Sequence, residues 1–198
     1  MEPEVKTTDE ALGHVCPPSV VRWLNSPLRR LIQNPRKIFA GYVRPGDTAI
    51  DLGCGGGFFS VALAGMVGEN GRVIAADMQE EMLRITRNLA TKKGVLDRII
   101  LHQCRPDDID LSGEKADFVL AFYVVHEVSD RVAFLSQAAG LLKPNARFMM
   151  IEPKHHVKKS QLKQILSEAE LAGLKPIKSL KLFASRGMLF RLKTADNL

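Results

Sequence analysis

The sequence predicts an α/β fold: a three-layer, doubly wound, mostly parallel seven-stranded sheet with the last strand antiparallel, plus an N-terminal helical lid. Three observations carry this. From residue 48 to residue 172, short apolar runs alternate with helical segments, the pattern of parallel strands joined by helical crossovers. A glycine turn, Gly53-Cys-Gly-Gly-Gly57, separates the first of those runs from its helix. After the last helix, residues 174–183 and 188–193 read as two strands separated by Ser185-Arg-Gly187, a hairpin that closes the sheet with one antiparallel strand.

The run 49–52 is short enough for a buried strand, and 58–66 is the helix that follows it. A second strand, 73–76, ends in Asp77. Residues 79–93 begin with Glu80 and Glu81 and finish with Lys92 and Lys93, the charge order a helix dipole favours, and Gly94 stops them. The third strand is 98–103 and the fourth 117–121. Helix 130–142 stops at Lys143-Pro-Asn, the fifth strand is 147–152, and helix 158–172 stops at Gly173. Upstream, Ser19 can cap a helix with Val20, Val21, Trp23, Leu24, Leu28, Leu31 and Ile32 on one face and Arg22, Arg29 and Arg30 on the other. A second short helix, 35–42, leads to the turn Arg44-Pro-Gly-Asp47.

A strand, a glycine turn and a helix start together form a ligand site. Glycine lets the backbone approach a bound molecule, and free N–H groups at a helix start favour an electron-rich ligand group. The spacing Asp51-x-Gly53-x-Gly55-x-Gly57 departs from the dinucleotide fingerprint, which would need glycine where Phe58 stands. A nicotinamide dehydrogenase is therefore disfavoured. Asp77 falls at the end of the neighbouring strand, where its carboxylate can accept hydrogen bonds from both hydroxyls of a ribose.

On these residues the sequence resembles the class I S-adenosylmethionine-dependent methyltransferases. The resemblance runs from about residue 36 to 193, and its specific motifs lie in the first half. It implies that S-adenosyl-L-methionine is the cofactor, that Gly53, Gly55 and Gly57 hold its amino-acid end, that Asp51 orders the turn and that Asp77 binds the ribose. Cys54, Phe58, Met78, Cys104, Arg105, Ala121 and Phe122 complete the expected cofactor-binding set. Many relatives carry an acid near the position of Arg105 that contacts the adenine amine; here Asp107 or the backbone of Cys104 are the substitutes.

Methyl transfer from a sulfonium needs an aligned acceptor more than it needs a nucleophilic side chain, and orientation alone can be worth roughly 7–11 kcal/mol of barrier. A base is needed only where the acceptor carries a proton. The expected catalytic residues are His126 and Glu152, after the fourth and fifth strands; Tyr123, Glu127, Lys154, His155 and His156 lie in the same two loops. The alternative for His126 is capping or packing, and for His155, His156 and their lysines a solvated basic edge. The strand-four exit, Ala121-Phe-Tyr-Val, lacks the asparagine-proline-proline-aromatic element of many amide and nucleic-acid amine methylating members. This favours a small-molecule acceptor over an RNA-modifying enzyme. A non-catalytic S-adenosylmethionine-binding protein is the further alternative. Residues 1–42 are expected to form a helical cap that closes over the acceptor pocket, with 43–198 as the methyltransferase domain.

Composition sets the bounds. A chain of 198 residues, 45% hydrophobic, can bury one sizeable core. Its longest apolar run, 118–125, is too short to span a bilayer, and the N-terminus lacks the regions of a signal peptide, so a cytoplasmic protein with no membrane partner is expected. Cys16, Cys54 and Cys104 are far apart, which fits reduced thiols. A site built from His14, Cys16, His155 and His156 lacks zinc-like spacing, so no metal is expected. The net charge of +6 with only 6% aromatics fits an anionic small molecule as well as a nucleic acid.

Overall fold

The computed structural model describes residues 33–193. Helix α1 (Pro35–Phe39) starts at Asn34, whose side chain accepts the Lys37 N–H, with proline just inside the start, where its missing N–H costs nothing. Strand β1 (Thr48–Leu52), helix α2 (Phe58–Val67), β2 (Arg72–Asp77), α3 (Glu80–Lys93), β3 (Ile99–Gln103), β4 (Ala116–Phe122), α4 (Arg131–Gly140), β5 (Leu142–Pro153), α5 (Lys159–Leu171), β6 (Leu174–Leu182) and β7 (Ser185–Leu192) follow. The strands lie in the order β3-β2-β1-β4-β5-β7-β6. Only β7 runs antiparallel, paired with β5 on one side and β6 on the other.

The central strands are apolar on both faces because both faces are covered. Ile50, Leu52, Val119, Ala121, Phe148 and Met150 pack with Leu135 of α4 and Ile165 of α5. Their neighbours Ala49, Phe118, Leu120, Met149 and Ile151 point the other way, toward α1, α2 and α3. Phe39 of α1 is fully buried, its ring edge-on to Phe59 and Phe118 at centroid distances of 5.6 and 5.7 Å. Edge-to-face contacts of this kind add about 0.5–1.5 kcal/mol beyond area burial. The described end of the expected cap therefore covers the flank of the sheet. The helix expected from Ser19, with Cys16, Trp23 and Arg29, lies outside the described residues.

Three boundaries differ from expectation. Helix α1 ends at Phe39, short of 42, and residues 40–42 are turn. Ser185, Arg186 and Gly187 belong to β7 and are not the hairpin turn, which is made by Phe183 and Ala184, the latter at φ 53°. Gly187 marks close approach within the strand: a Cβ there would lie 3.0 Å from Leu180 Cβ. Strand β5 begins at Leu142 instead of 147, because Leu142 pairs with Ala116 ahead of an irregularity that contains Asn145 at φ 65°. Among the described residues, no helix is long and apolar enough to cross a membrane.

Candidate functional site

The first part of the site is the turn from β1 to α2. Gly53, Gly55 and Gly57 all have positive φ, at 67, 52 and 77°, conformations that L side chains rarely adopt. Their surroundings differ. A Cβ on Gly53 would meet Val124 Cγ2 at 2.4 Å, and one on Gly57 would meet Thr86 at 2.7 Å, whereas one on Gly55 would meet nothing within 4 Å. Two glycines let the turn press against the β4 exit and α3, and the third leaves a face of the turn open.

Backbone groups tie this turn to β2. Gly55 N–H donates to Asp77 Oδ2 at 2.8 Å, Gln79 N–H donates to Oδ1 at 2.9 Å, and Cys54 N–H donates to the Ala76 carbonyl at 3.0 Å. Thr86 Oγ1 donates to the Gly55 carbonyl at 2.8 Å. Inside the sheet, Asp51 is 1% exposed and accepts a 2.5 Å hydrogen bond from Ser60 Oγ, which fixes the first turn of α2. Burial raises the Asp77 carboxyl above its ordinary range, against the opposing pull of the N–H groups of Gln79, Gly55 and Met78. Burial, with Asp51 and Asp77 nearby, pushes the Cys54 thiol well up, so it is no thiolate nucleophile at neutral pH. The Cys104 thiol is pushed up to about 12, again chiefly by burial and then by Asp77.

The second part joins the β4 and β5 exits. Glu152 is fully buried, with Oε1 accepting the Val125 N–H at 3.0 Å and Oε2 lying 2.5 Å from His126 Nδ1. With a carboxyl oxygen as its neighbour, Nδ1 is the nitrogen on which a neutral His126 ring is placed to carry its proton. Its other nitrogen, Nε2, lies 3.4 Å from His156 Nδ1 and 3.9 Å from a Glu127 carboxylate oxygen. Burial lowers the His126 pKa, but the hydrogen bond and charge of Glu152, with Glu127, outweigh it and raise the group above its ordinary value. His156 shifts down, through desolvation and then the neighbouring His155 and His126. A small cavity of about 80 Å³ beside His126 is lined by Arg131, Val157, Gln161, Gln164 and Ile165. Tyr123, at φ 65°, donates its N–H to the Ile151 carbonyl at 2.8 Å, and its hydroxyl meets Ser185 Oγ and, at 3.0 Å, Gln33 Nε2.

A family model described as a methyltransferase domain matches residues 44–182, which contain both parts of the site. The chain belongs to that methyltransferase family. A solved S-adenosylmethionine-dependent methyltransferase from Aquifex aeolicus superposes with a TM-score of 0.80 at 26% identity, over 89% of this chain and 98% of that one. The ubiquinone/menaquinone biosynthesis C-methyltransferase UbiE of Shewanella frigidimarina is 26% identical over 58% of this chain and 47% of its own length. The enzyme of the same name from Hydrogenovibrio crunogenus is 28% identical over 56% of this chain and 43% of its own. The chain thus spans under half the length of these two relatives. S-adenosylmethionine is the cofactor of this methyltransferase domain. At the turn, a Cβ on Gly55 would meet nothing within 4 Å, and the Asp77 carboxylate, with about four acceptor positions, takes the N–H groups of Gly55, Gln79 and Met78.

The methyltransferase site gathers the residues expected from sequence unevenly. Phe58, Ala121 and Phe122 are buried with their side chains in the core, so what they present to a ligand is backbone. The Met78 carbonyl is taken by Gln103 Nε2 at 3.3 Å. Cys104 follows β3, its N–H on the Asp77 carbonyl at 3.0 Å. Arg105 is an exposed side chain paired with Asp110 at 2.9 Å and Asp108 at 3.7 Å, while Asp107 is exposed and lends its carbonyl to Gln137. His126 and Glu152, read from sequence as separate candidates, form one pair. Among the described residues no group of three or more His, Cys, Asp or Glu could hold a metal ion. Sequence reading passed over Thr86, Ser60, Val124 and Ser185. Thr86 was findable, since it sits on the buried α3 stripe Met82, Leu83, Thr86, Ala90, where a hydroxyl needs a partner. Nothing local marks Ser185.

Proposed function

We propose that this chain transfers a methyl group from S-adenosylmethionine to a small organic acceptor lodged between the β4 and β5 exits. The observation that carries the reading is the Gly55–Asp77 contact, an open glycine joined to a buried carboxylate with acceptor capacity to spare. When bound, the cofactor supplies a methyl group already activated by the sulfonium. Gly53, Gly55 and Gly57 shape the floor for its amino-acid end, Asp77 accepts from the ribose hydroxyls, and the Cys104–Arg105 loop borders the base. Val124, pressed on Gly53, couples the turn to the loop that carries His126, so the two substrates meet across one rigid contact. The two relatives named for C-methylation in ubiquinone and menaquinone biosynthesis favour a small organic acceptor, with carbon among the atoms methylated.

Two measurements test this. Calorimetry should show S-adenosylhomocysteine binding with no response to NAD, and methyl-labelled cofactor in a metabolite extract should place label in a small molecule. Micromolar NAD binding without S-adenosylhomocysteine binding overturns the cofactor assignment. Label recovered only in RNA or protein overturns the acceptor class.

A further inference from the structure

The His126–Glu152 pair does more than capping or packing requires. A capping histidine bonds backbone, and a packed one needs no buried carboxylate. Here a glutamate with no solvent exposure is held by the Val125 N–H and spends its other oxygen on the imidazole. A buried carboxylate is costly unless hydrogen-bonded, and these two contacts are what hold it there. The pairing fixes the ring and its tautomer, leaving Nε2 as the acceptor nitrogen. That nitrogen meets His156 Nδ1 through a long hydrogen bond of 3.4 Å, one that an acceptor group can replace, and the His126 ring borders the small cavity. We infer that His126 is the general base of methyl transfer, oriented by Glu152 as a positioning residue, and that the acceptor is therefore a neutral O–H, S–H or enolisable C–H group. This rests on the methyl-transfer reading above.

The step balances without another reactant. The acceptor's proton passes to His126 Nε2, the electron pair it leaves forms the bond to the methyl carbon, and the carbon–sulfur bond breaks with its pair on sulfur. S-adenosylhomocysteine and a methylated product leave, and the proton on Nε2 goes to solvent. Acceptors such as thioethers or tertiary amines, which have no proton to lose, gain nothing from this arrangement. The groups facing His126 are Glu152 from β5, Glu127 from its own loop, His156 with His155 beyond it, and across the cavity Arg131 of α4, already paired with Glu168 of α5 at 2.6 Å. The carboxylates dominate this set, which agrees with the upward shift of His126. The rate is therefore expected to rise with pH through an inflection above 6.5, the ordinary value, as Nε2 is freed.

The test uses the full chain, Glu152→Gln and His126→Gln. Nitrogen-15 NMR of the imidazoles should show neutral His126 protonated on Nδ1, titrating above 6.5 in the wild type and at lower pH in Glu152→Gln. With methyl-labelled cofactor, catechol and thiophenol are the probes bearing a proton and dimethyl sulfide the probe without one. His126→Gln should slow methylation of the first two by on the order of 10²-fold or more, with S-adenosylhomocysteine affinity held within about twofold. A neutral His126 protonated on Nε2, an inflection unmoved in Glu152→Gln, or methylation of dimethyl sulfide alone overturns the inference. The tautomer and its titration decide even where neither proton-bearing probe is methylated. Failure of S-adenosylhomocysteine to bind the wild type is a different result, which removes the cofactor reading itself.

Discussion

The two halves of the site are fastened by different means. On the β1–β2 side, what is fastened is the backbone of the glycine turn itself: Gly55 N–H on the Asp77 carboxylate, Cys54 N–H on the Ala76 carbonyl, and the Gly55 carbonyl on Thr86 Oγ1. On the β4–β5 side the fastenings run from side chain to side chain, His126 with Glu152, Tyr123 with Ser185, Gln33 with Tyr123. A half that presents glycine backbone gives a ligand few side chains to vary, which suits a cofactor shared by a whole family. A half fastened by side chains can be re-specified one residue at a time, which suits an acceptor that differs between members.

The largest effect is expected where the halves touch. Gly53→Ala would place a methyl group 2.4 Å from Val124 Cγ2 at a φ of 67°. Left-handed backbone strain of roughly 1–2 kcal/mol and overpacking of roughly 1–3 kcal/mol should together cost stability as well as S-adenosylhomocysteine affinity. Adding Val124→Ala should recover part of that loss in a double-mutant cycle. Additivity of the two changes would mean that the halves are independent.

Next comes Asp77→Ala, which strands the Gly55 and Gln79 N–H groups and the ribose hydroxyls. A loss of about 1.5–3 kcal/mol in S-adenosylhomocysteine affinity, read by calorimetry, is expected for a hydrogen bond to a charged group. Unchanged affinity would take Asp77 out of the cofactor half. Tyr123→Phe should act on the other half alone, costing about 1 kcal/mol of stability in denaturant from the lost hydroxyl contacts and leaving cofactor affinity in place. The smallest effect is expected for Thr86→Val, which removes one hydroxyl from the Gly55 carbonyl and should weaken S-adenosylhomocysteine by about 0.5 kcal/mol. A larger loss from Tyr123→Phe than from Asp77→Ala in cofactor binding would reverse the division drawn here.

The same division explains what could be read from the sequence. Asp51, Gly53, Gly55, Gly57 and Asp77 belong to one strand–turn–helix–strand unit, where spacing along the chain is nearly spacing in space. The alternating apolar runs likewise give strand order and layer, since a strand covered on both faces must be apolar throughout. His126 and Glu152 were visible as members of two loops, but their pairing is a consequence of β4 lying beside β5. Tyr123 and Ser185 needed more: the register of the hairpin, in which Ser185 opposes Pro153, fixes which hydroxyl reaches the site. Gly187 misplaced the hairpin turn because a glycine that spares a crowded strand looks, in sequence, like one that bends the chain.

The antiparallel insertion of β7 between β5 and β6 has a consequence for the order in which the protein is made. The cofactor turn and its anchors, Asp51 to Thr86, are complete before half the described chain has been synthesised, whereas Tyr123 waits for Ser185, 62 residues later. Until then the edge of β5 that β7 will occupy is open, and an open strand edge is a template for pairing with another chain. A chain that ends early or is clipped in the β6–β7 hairpin would thus retain a place for S-adenosylmethionine while losing the closure of its acceptor side. Ligand capture would then be no certificate of an intact molecule.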